Sequence, residues 1–251
     1  MPTSEFTDDG FLNNRLKVLQ PRKGYRAGLD AVMVAAAVPA KSGDHIFEAG
    51  IGTGIASLCL AKRVPDIQVT GVENNPEYAA LAGENAARNN FGESITILDC
   101  DMADLSKHPQ LAPGLFDHAF ANPPYREAGR IRQPDDKGRR AAFVSNMAMI
   151  KAWMETMLDL VRPGGTVTMI LPVELDDAFR NFPQVGKNHL KVLPMVPREG
   201  ENPIRVIFQI EKGNLPGIEV ITPLALHERD GCFTDAADTI LREVGGLMHD
   251  H

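Results

Sequence analysis

Short apolar stretches alternate with stretches of helical periodicity through most of the chain. Five of the apolar stretches have the length of buried strands and lie at 45–50, 69–73, 95–99, 116–121 and 166–172. Apolar residues that recur every three or four positions predict helices at 54–64, 76–90 and 141–161. Strands that alternate with helices through short links are typical of a parallel sheet covered on both faces. The pattern therefore predicts the α/β class, with a doubly wound and mostly parallel sheet.

The pattern changes towards the end of the chain. Residues 191–196 and 204–212 are strand-like, and the link between them is too short for a helix. This spacing predicts an antiparallel pair at one edge of the sheet. A short strand at 223–228 and a final helix at 234–244 complete the prediction.

The first 42 residues precede the first predicted strand. The small-residue run at 30–38 predicts a helix that Asp30 opens as its N-cap. The chain has 251 residues, of which 43% are hydrophobic, and no linker or repeat divides it. We therefore expect a single domain over residues 1–251, in which segment 1–42 covers the substrate and cofactor side of a catalytic core at 43–251.

Composition excludes several classes of protein. No stretch reaches the roughly 18 apolar residues of a membrane span, and the start of the chain is polar and acidic rather than signal-like. The three cysteines lie far apart, and the seven histidines are scattered. Neither a disulfide framework nor a metal site is expected from such spacing. These features favour a cytoplasmic protein that has no membrane partner.

Charge is unevenly distributed along the chain. The net charge is −7, which argues against general duplex binding. Residues 15–26 nevertheless hold five basic residues and no acid, and residues 126–140 hold six basic and three acidic residues. Such runs are either ordinary solvated faces or a local patch that binds phosphates.

A glycine-rich turn follows the first predicted strand, where the chain is FEAGIGTG. Gly50, Gly52 and Gly54 allow close approach of the backbone to a ligand, although a tight turn without a ligand would show the same residues. Ile55 stands where a dinucleotide fingerprint needs its third glycine. Glu73 ends the second strand, where a carboxylate can accept hydrogen bonds from the hydroxyls of a ribose.

Two further acids favour a particular cofactor. Glu48 lies just before the glycines and suits a cationic ligand better than a pyrophosphate. S-adenosylmethionine carries a sulfonium and an ammonium group and no phosphate, so it fits this turn. Asp101 follows the third strand, where it could accept the exocyclic N–H of adenine while Met102 packs against the ring. In isolation, Asp101 would equally suit a helix cap or a solvated loop.

The fourth predicted strand ends in Asn122, Pro123, Pro124 and Tyr125. An exocyclic amine is a poor nucleophile because its lone pair is delocalised. The side-chain oxygen of Asn122 and the carbonyl of Pro123 can accept its two N–H bonds and aim the lone pair at a methyl group. The prolines hold these acceptors in place, and Tyr125 can stack on the flat target. The alternative is a proline-rich turn with Tyr125 as surface cover.

These motifs stand together in a known order. The segments EAGIGTG, VEN, DCDM and NPPY resemble those of the Rossmann-like, amino-methylating class I methyltransferases. The segments GYRAGLDAVMVAAAV, REGENPIRVIFQ and PLALHERDGCFTDAADTIL are similar to those of the bacterial tRNA(Val) adenine-N6 methyltransferase family. With these three segments, the resemblance extends over nearly the whole chain.

The family resemblance implies N6-methylation, from S-adenosylmethionine, of the adenine just 3′ of the anticodon in a valine tRNA. It also implies a seven-stranded sheet whose last pair is antiparallel. Asp30 would line the methionine end of the cofactor. The cofactor residues carried over by motif are Glu48, Gly50, Gly52, Gly54, Glu73, Asn74, Asp101, Met102 and Asn122.

RNA is therefore the expected partner. The loop after Tyr125 can clamp the phosphates that flank the target base through Arg126, Arg130, Arg132, Arg139 and Arg140. A protein glutamine, rRNA or DNA methyltransferase remains an alternative, as does a noncatalytic binder of RNA or cofactor. Only about 45 residues precede the glycine turn, which is short for the substrate domain of a glutamine methyltransferase, and DNA enzymes usually carry a larger recognition region.

Overall fold

The computed structural model describes residues 5–24, 26–108, 111–124 and 136–248, without the side chains of 106–107 and 136–142. In chain order, the strands and helices are β1 (Phe6–Phe11), β2 (Leu16–Pro21), α1 (Leu29–Ala37), β3 (His45–Ala49), α2 (Ile55–Arg63), β4 (Gln68–Glu73), α3 (Pro76–Arg88), β5 (Ile95–Asp99), β6 (Phe116–Ala121), α4 (Asp136–Leu160), β7 (Val161–Pro172), α5 (Asp176–Arg180), β8 (His189–Val196), β9 (Arg205–Glu211), β10 (Gly217–Val220), β11 (Leu224–Ala225) and α6 (Asp235–Glu243). Three short 3₁₀ helices occupy Met102–Lys107, Val173–Leu175 and Val185–Lys187.

The main sheet has the order β10-β8-β9-β7-β6-β3-β4-β5, and β11 also pairs with β8. Only β9 runs antiparallel to its neighbours, so the sheet is mostly parallel, and the predicted doubly wound fold is confirmed. The strand order reverses at β3, which has β4 on one side and β6 on the other. The carboxyl ends of β3, β4, β5 and β6 therefore surround the crevice where ligands bind in such sheets.

Among the described residues, the sheet has nine strands rather than the seven expected from the resemblance. The two additional strands, β10 and β11, pair in parallel with β8, so the antiparallel pair of β8 and β9 does not form the edge. All four residues of β10 are exposed, so the strand has no buried face that an apolar alternation could reveal.

Alternate residues of the strands feed two separate apolar layers. Ile46 of β3 belongs to the layer that α1, α2 and α6 cover, whereas its neighbour Phe47 belongs to the layer that α4 and α5 cover. This alternation is the two-residue period of a strand, and both faces of the sheet are buried. No helix in the described part of the chain is long and apolar enough to cross a membrane.

The N-terminal segment differs from its prediction. Strands β1 and β2 form an antiparallel hairpin that the sequence analysis missed. Helix α1 begins after Gly28 rather than at Asp30, and Asp30 lies in its first turn without capping it. The carboxylate of Asp30 instead accepts a hydrogen bond of 2.9 Å from Arg205 Nε on β9.

Two asparagines four residues apart, Asn85 on α3 and Asn89 at its C-cap, hold the hairpin in place. Asn85 Oδ1 accepts from Leu19 N at 2.7 Å, and Asn85 Nδ2 donates to Leu19 O at 3.0 Å and to Thr53 O at 2.9 Å. Asn89 repeats the pairing with the backbone N–H and C=O of Lys17, at 3.0 and 2.9 Å. The two amides thus take the place of a neighbouring strand for β2, and Asn85 also fastens the hairpin to the glycine turn.

We expect Asn85→Ala to lower the free energy of unfolding by about 2–4 kcal/mol, because Asn85 is fully buried and its loss leaves three backbone groups unpaired. Urea denaturation measures the change. Asn181→Ala is the matched control, since exposed Asn181 makes one bond, to Asp177 O, and should cost less than about 0.5 kcal/mol. A loss below about 1 kcal/mol at position 85 would contradict the assigned role.

Candidate active site

A cavity of about 460 Å³ opens at the carboxyl ends of β3, β4, β5 and β6. This volume lies within the range of small-molecule sites, about 300–1,000 Å³. The cavity brings together eight residues that the sequence analysis assigned to a cofactor, namely Glu48, Gly50, Gly52, Glu73, Asn74, Asp101, Met102 and Asn122. They meet because the carboxyl ends of parallel strands lie at one edge of the sheet.

The glycine turn between β3 and α2 forms the floor of the cavity. Gly50, Gly52 and Gly54 have φ angles of +68°, +57° and +85°, which a residue with a Cβ rarely adopts. Gly50 and Gly52 line the cavity, whereas Gly54 caps the start of α2. A Cβ on Gly50 would lie 2.7 Å from Cη2 of Trp153, so this glycine is required by close packing as well as by its φ angle.

The carboxyl group of Glu48 lies at the bottom of the cavity and is 2% exposed. Ser57 Oγ donates a short hydrogen bond to Glu48 Oε2. Burial raises the pKa of Glu48 to about 8, and the charge of Glu73 adds to the shift while the bonds from Ser57 oppose it. A cation that entered the cavity would favour the ionised form of this acid.

Glu73 is held by two backbone amides. Its Oε2 accepts from Gly52 N at 2.9 Å, and its Oε1 accepts from Asn75 N at 2.9 Å. Each carboxylate oxygen keeps a further lone pair, which can accept from a ligand hydroxyl. These contacts fix the carboxylate at the end of β4, in the position expected of a ribose acceptor.

Asp101 both caps a 3₁₀ helix and lines the cavity. Its Oδ1 accepts from Ala103 N, and its Oδ2 accepts from Asn74 Nδ2, both at 2.9 Å. These two bonds lower the pKa of Asp101, so it is a charged acceptor at neutral pH. Neighbouring Cys100 also lines the cavity, and partial burial together with the surrounding aspartates raises the pKa of its thiol. That thiol is therefore a poor nucleophile.

The Asn-Pro-Pro segment follows β6 directly. Asn122 and Pro124 line the cavity, while Pro123 is buried beside them. Tyr125, Arg126, Arg130 and Arg132 lie outside the described residues. Arg139 and Arg140 fall within the bounds of α4, but their side chains are outside the described part.

Asp30 does not line this cavity, although Ala27 and Ala31 on either side of it do. Its carboxylate is engaged by Arg205, as described above. The segment before the glycine turn therefore contributes small apolar side chains to the cavity rather than the acid that the resemblance implied.

The sequence analysis missed several residues of the lining. Trp153 and Met149 reach the cavity from α4, and Tyr78 reaches it from the first turn of α3. Met149 and Trp153 are spaced four residues apart on one helix, which places them on the same face. That face packs on the sheet, so the apolar pattern alone gave no sign that it borders a ligand site.

Charge on the cavity wall is one-sided. Its described lining includes three acidic side chains, of Glu48, Glu73 and Asp101, and no lysine, arginine or histidine. Such a wall suits a cationic, nucleoside-like ligand and disfavours a pyrophosphate. The donor set thus fits S-adenosylmethionine, with Glu48, Glu73 and Asp101 as the groups that would hold it. No cluster of three or more metal-ligating side chains occurs among the described residues.

Comparison with known proteins gives concordant results. A family model described as a methyltransferase domain matches residues 46–129. A tRNA1(Val) (adenine(37)-N6)-methyltransferase of Shewanella amazonensis is 25% identical over 221 residues, which cover 88% of this chain and 91% of the relative. A protein of the same description from Porphyromonas gingivalis is 31% identical over 176 residues, which cover 68% of this chain and 66% of the relative.

Among solved structures, a protein of Agrobacterium tumefaciens described as a predicted O-methyltransferase superposes with a TM-score of 0.73. The superposition covers 88% of this chain and 100% of that protein, at 21% sequence identity. At this level of identity the match concerns the fold, which the two proteins share.

Proposed function

Because the chain belongs to the family of bacterial tRNA(Val) adenine-N6 methyltransferases, which use S-adenosylmethionine, we propose that it methylates the N6 amine of an adenine in tRNA near the anticodon. The observation that carries the proposal is the juxtaposition, in one acidic cavity, of three carboxylates and Asn122. The carboxylates suit a cationic donor, and Asn122 suits an amine acceptor. Such a reaction belongs in the cytoplasm, where tRNA is found.

The donor, when bound, supplies an electrophilic methyl group. Glu48 would hold its ammonium end, Glu73 its ribose and Asp101 its adenine. Each of these groups lies at the end of a different strand, so their spacing is set by the sheet. Positioning of this kind can supply much of the rate of a bimolecular transfer.

Asn122 and Pro123 would hold the acceptor. The Asn122 Oδ1 and the Pro123 carbonyl accept the two N–H bonds of the adenine amine, which turns the nitrogen lone pair towards the methyl carbon. The donor would supply the methyl carbon for the new N–C bond and would keep the electrons of the C–S bond on sulfur, as a neutral thioether. The amine proton leaves to solvent, since the methylated nitrogen is acidic, and no strong base is required.

An amine acceptor is favoured over a hydroxyl, although a structural neighbour of the same fold is described as an O-methyltransferase. A hydroxyl has one proton and would be activated by a base. The described lining contains no histidine or lysine that could act as such a base. Asn122, which would hold the acceptor, is uncharged.

The test is methyl transfer from labelled S-adenosylmethionine to total tRNA, rRNA, DNA and protein extract, followed by identification of the modified product. We expect N6-methyladenosine in tRNA. Label in methylglutamine, rRNA or DNA would replace the proposal with the corresponding alternative. A protein that binds the donor but labels none of the four substrates would be a noncatalytic binder.

The basic segment 126–140 is proposed to bind the flanking phosphates through Arg126, Arg130, Arg132, Arg139 and Arg140. We expect Arg139→Glu/Arg140→Glu to weaken tRNA binding at least tenfold at low salt, because two favourable phosphate contacts become repulsive. Gel shift or fluorescence anisotropy measures this. Donor affinity, measured by calorimetry, should not change.

Lys62→Glu/Lys187→Glu is the matched control for charge. Both lysines are exposed, one at the end of α2 and one just before β8, at the edge of the sheet opposite the cavity. The control changes the net charge equally and should weaken tRNA binding far less. Equal losses of tRNA affinity in the two double variants would mean that the basic segment acts only through the overall charge of the protein.

A further inference from the structure

The chain has a single tryptophan, and its side chain lies against the glycine turn. The six-membered edge of the Trp153 indole faces Gly50, with Cη2 and Cζ3 at 2.7 and 3.1 Å from the position that a Cβ there would take. The ring lines the donor cavity together with Glu48 and Asn122. Trp153 therefore shares one cavity with the acid proposed to hold a cation and with the amide proposed to hold the acceptor.

Trp153 also lines a second space. A second cavity, of about 550 Å³, lies between α4 and the 3₁₀ helix after β5. Asp101, Met102, Met149 and Trp153 line both cavities. Trp153 is half-buried, packs against the core on one part of its surface and borders both cavities, so a ligand in the first cavity can contact it.

We propose that Trp153 is a donor-positioning residue whose indole distinguishes the positively charged sulfonium of the donor from the neutral thioether of the product. The proposal deepens the function given above and rests on S-adenosylmethionine being the donor. The apolar and aromatic face of α4 would then oppose the carboxylates of Glu48 and Glu73 across the cavity.

The physical basis is the quadrupole of the aromatic ring. An indole attracts a cation placed over its face and has no comparable attraction for a neutral sulfur. For a cation that is partly shielded from water, this contact corresponds to about tenfold in affinity. The same contact favours exchange of the spent product for fresh donor, because the interaction is lost when the methyl group leaves.

The experiment measures binding of S-adenosylmethionine and of S-adenosylhomocysteine by calorimetry, without RNA. We expect Trp153→Leu to weaken the donor about tenfold and the product less than about threefold, since only the donor is charged. Trp153→Phe keeps an aromatic face and should retain most of the difference between donor affinity and product affinity. Leucine is preferred to alanine here, because a small residue would join the two cavities.

Met154→Leu is the matched control, as it conserves volume at the next position of α4, is buried outside the lining of both cavities and should leave the ratio of the two affinities unchanged. Equal weakening of donor and product by Trp153→Leu, or no weakening of either, would overturn the proposal. If the leucine variant does not fold, the wild-type protein decides. Because Trp153 is the sole tryptophan, its fluorescence must change more with the donor than with the product, and equal spectra would reject the role.

These outcomes are separate from those of the proposed function. A protein that discriminates donor from product through Trp153 but methylates no tRNA would keep this inference and lose the substrate. If the protein methylates tRNA but Trp153→Leu leaves the ratio of donor affinity to product affinity unchanged, the proposed function stands and this inference is rejected.

Discussion

Replacement of Asn122 by alanine is expected to lower the single-turnover rate of methyl transfer by about 10²–10³-fold. The amide oxygen is one of only two acceptors proposed for the target amine, and its loss removes an interaction that strengthens as the nitrogen becomes positive. Donor affinity should change less than about threefold, because the carboxylates that hold the donor lie on other strands. Rapid-quench transfer to tRNA gives the rate, and calorimetry gives the affinity.

Asn122→Asp is the informative companion variant, since it keeps an acceptor oxygen at the same place. It should lose less activity than Asn122→Ala. An alanine variant that transfers methyl within threefold of the wild-type rate would mean that the amine is held elsewhere. If the alanine variant loses both donor affinity and the rate of transfer, Asn122 binds the donor rather than the acceptor.

The positions of the polar groups could be predicted because the topology restricts them. Glu48, Glu73, Asp101 and Asn122 each follow or end an apolar strand, and parallel strands place such residues along one edge of the sheet. The sequence spacing alone was sufficient for that inference. The hydrogen bonds from Gly52 N and Asn75 N to Glu73 could not be predicted from spacing, because they depend on the φ angles of the turn.

The missed features have a common physical origin. The hairpin strand β1 has the sequence FTDDGF, in which polar residues and glycine hide the strand pattern. Its partner strand β2 is held by the side-chain amides of Asn85 and Asn89, more than 60 residues away, which no local pattern reveals. Trp153 likewise reaches Gly50 only through tertiary packing. Asp30 shows the opposite error, since a plausible local cap is engaged by distant Arg205.

Glu48→Gln is expected to stabilise the ligand-free protein at alkaline pH while it weakens donor binding. Burial raises the pKa of Glu48 from 4.5 to about 8 in the folded protein. The stability associated with the protonated acid is therefore complete below about pH 4.5 and is lost as the pH rises through about 8. Glutamine stays neutral throughout, so the variant escapes this loss.

The expected change in the free energy of unfolding follows from the shift in the pKa of Glu48. Each pKa unit corresponds to about 1.4 kcal/mol, so the variant should gain roughly 3–5 kcal/mol over the wild type at pH 9 relative to pH 5. For a chain of this size, such a gain is about 10 °C in melting temperature. Thermal unfolding at several pH values measures it. Glu93→Gln, which removes an exposed acid, is the control and should show no such pH dependence.

The affinity of the wild-type protein for the donor should instead increase with pH. A cation in the cavity favours ionised Glu48, so binding near pH 7 releases close to one proton, and affinity rises by up to tenfold per pH unit below about pH 8. Glu48→Gln should bind the donor about 10–100-fold more weakly and without this slope, since it has no charge to offer. Calorimetry in buffers of different ionisation enthalpy counts the released protons. If the wild type releases no proton and melts in parallel with the variant from pH 5 to 9, Glu48 is already ionised in the free protein, and the cation is held by a preformed charge rather than by one that binding creates.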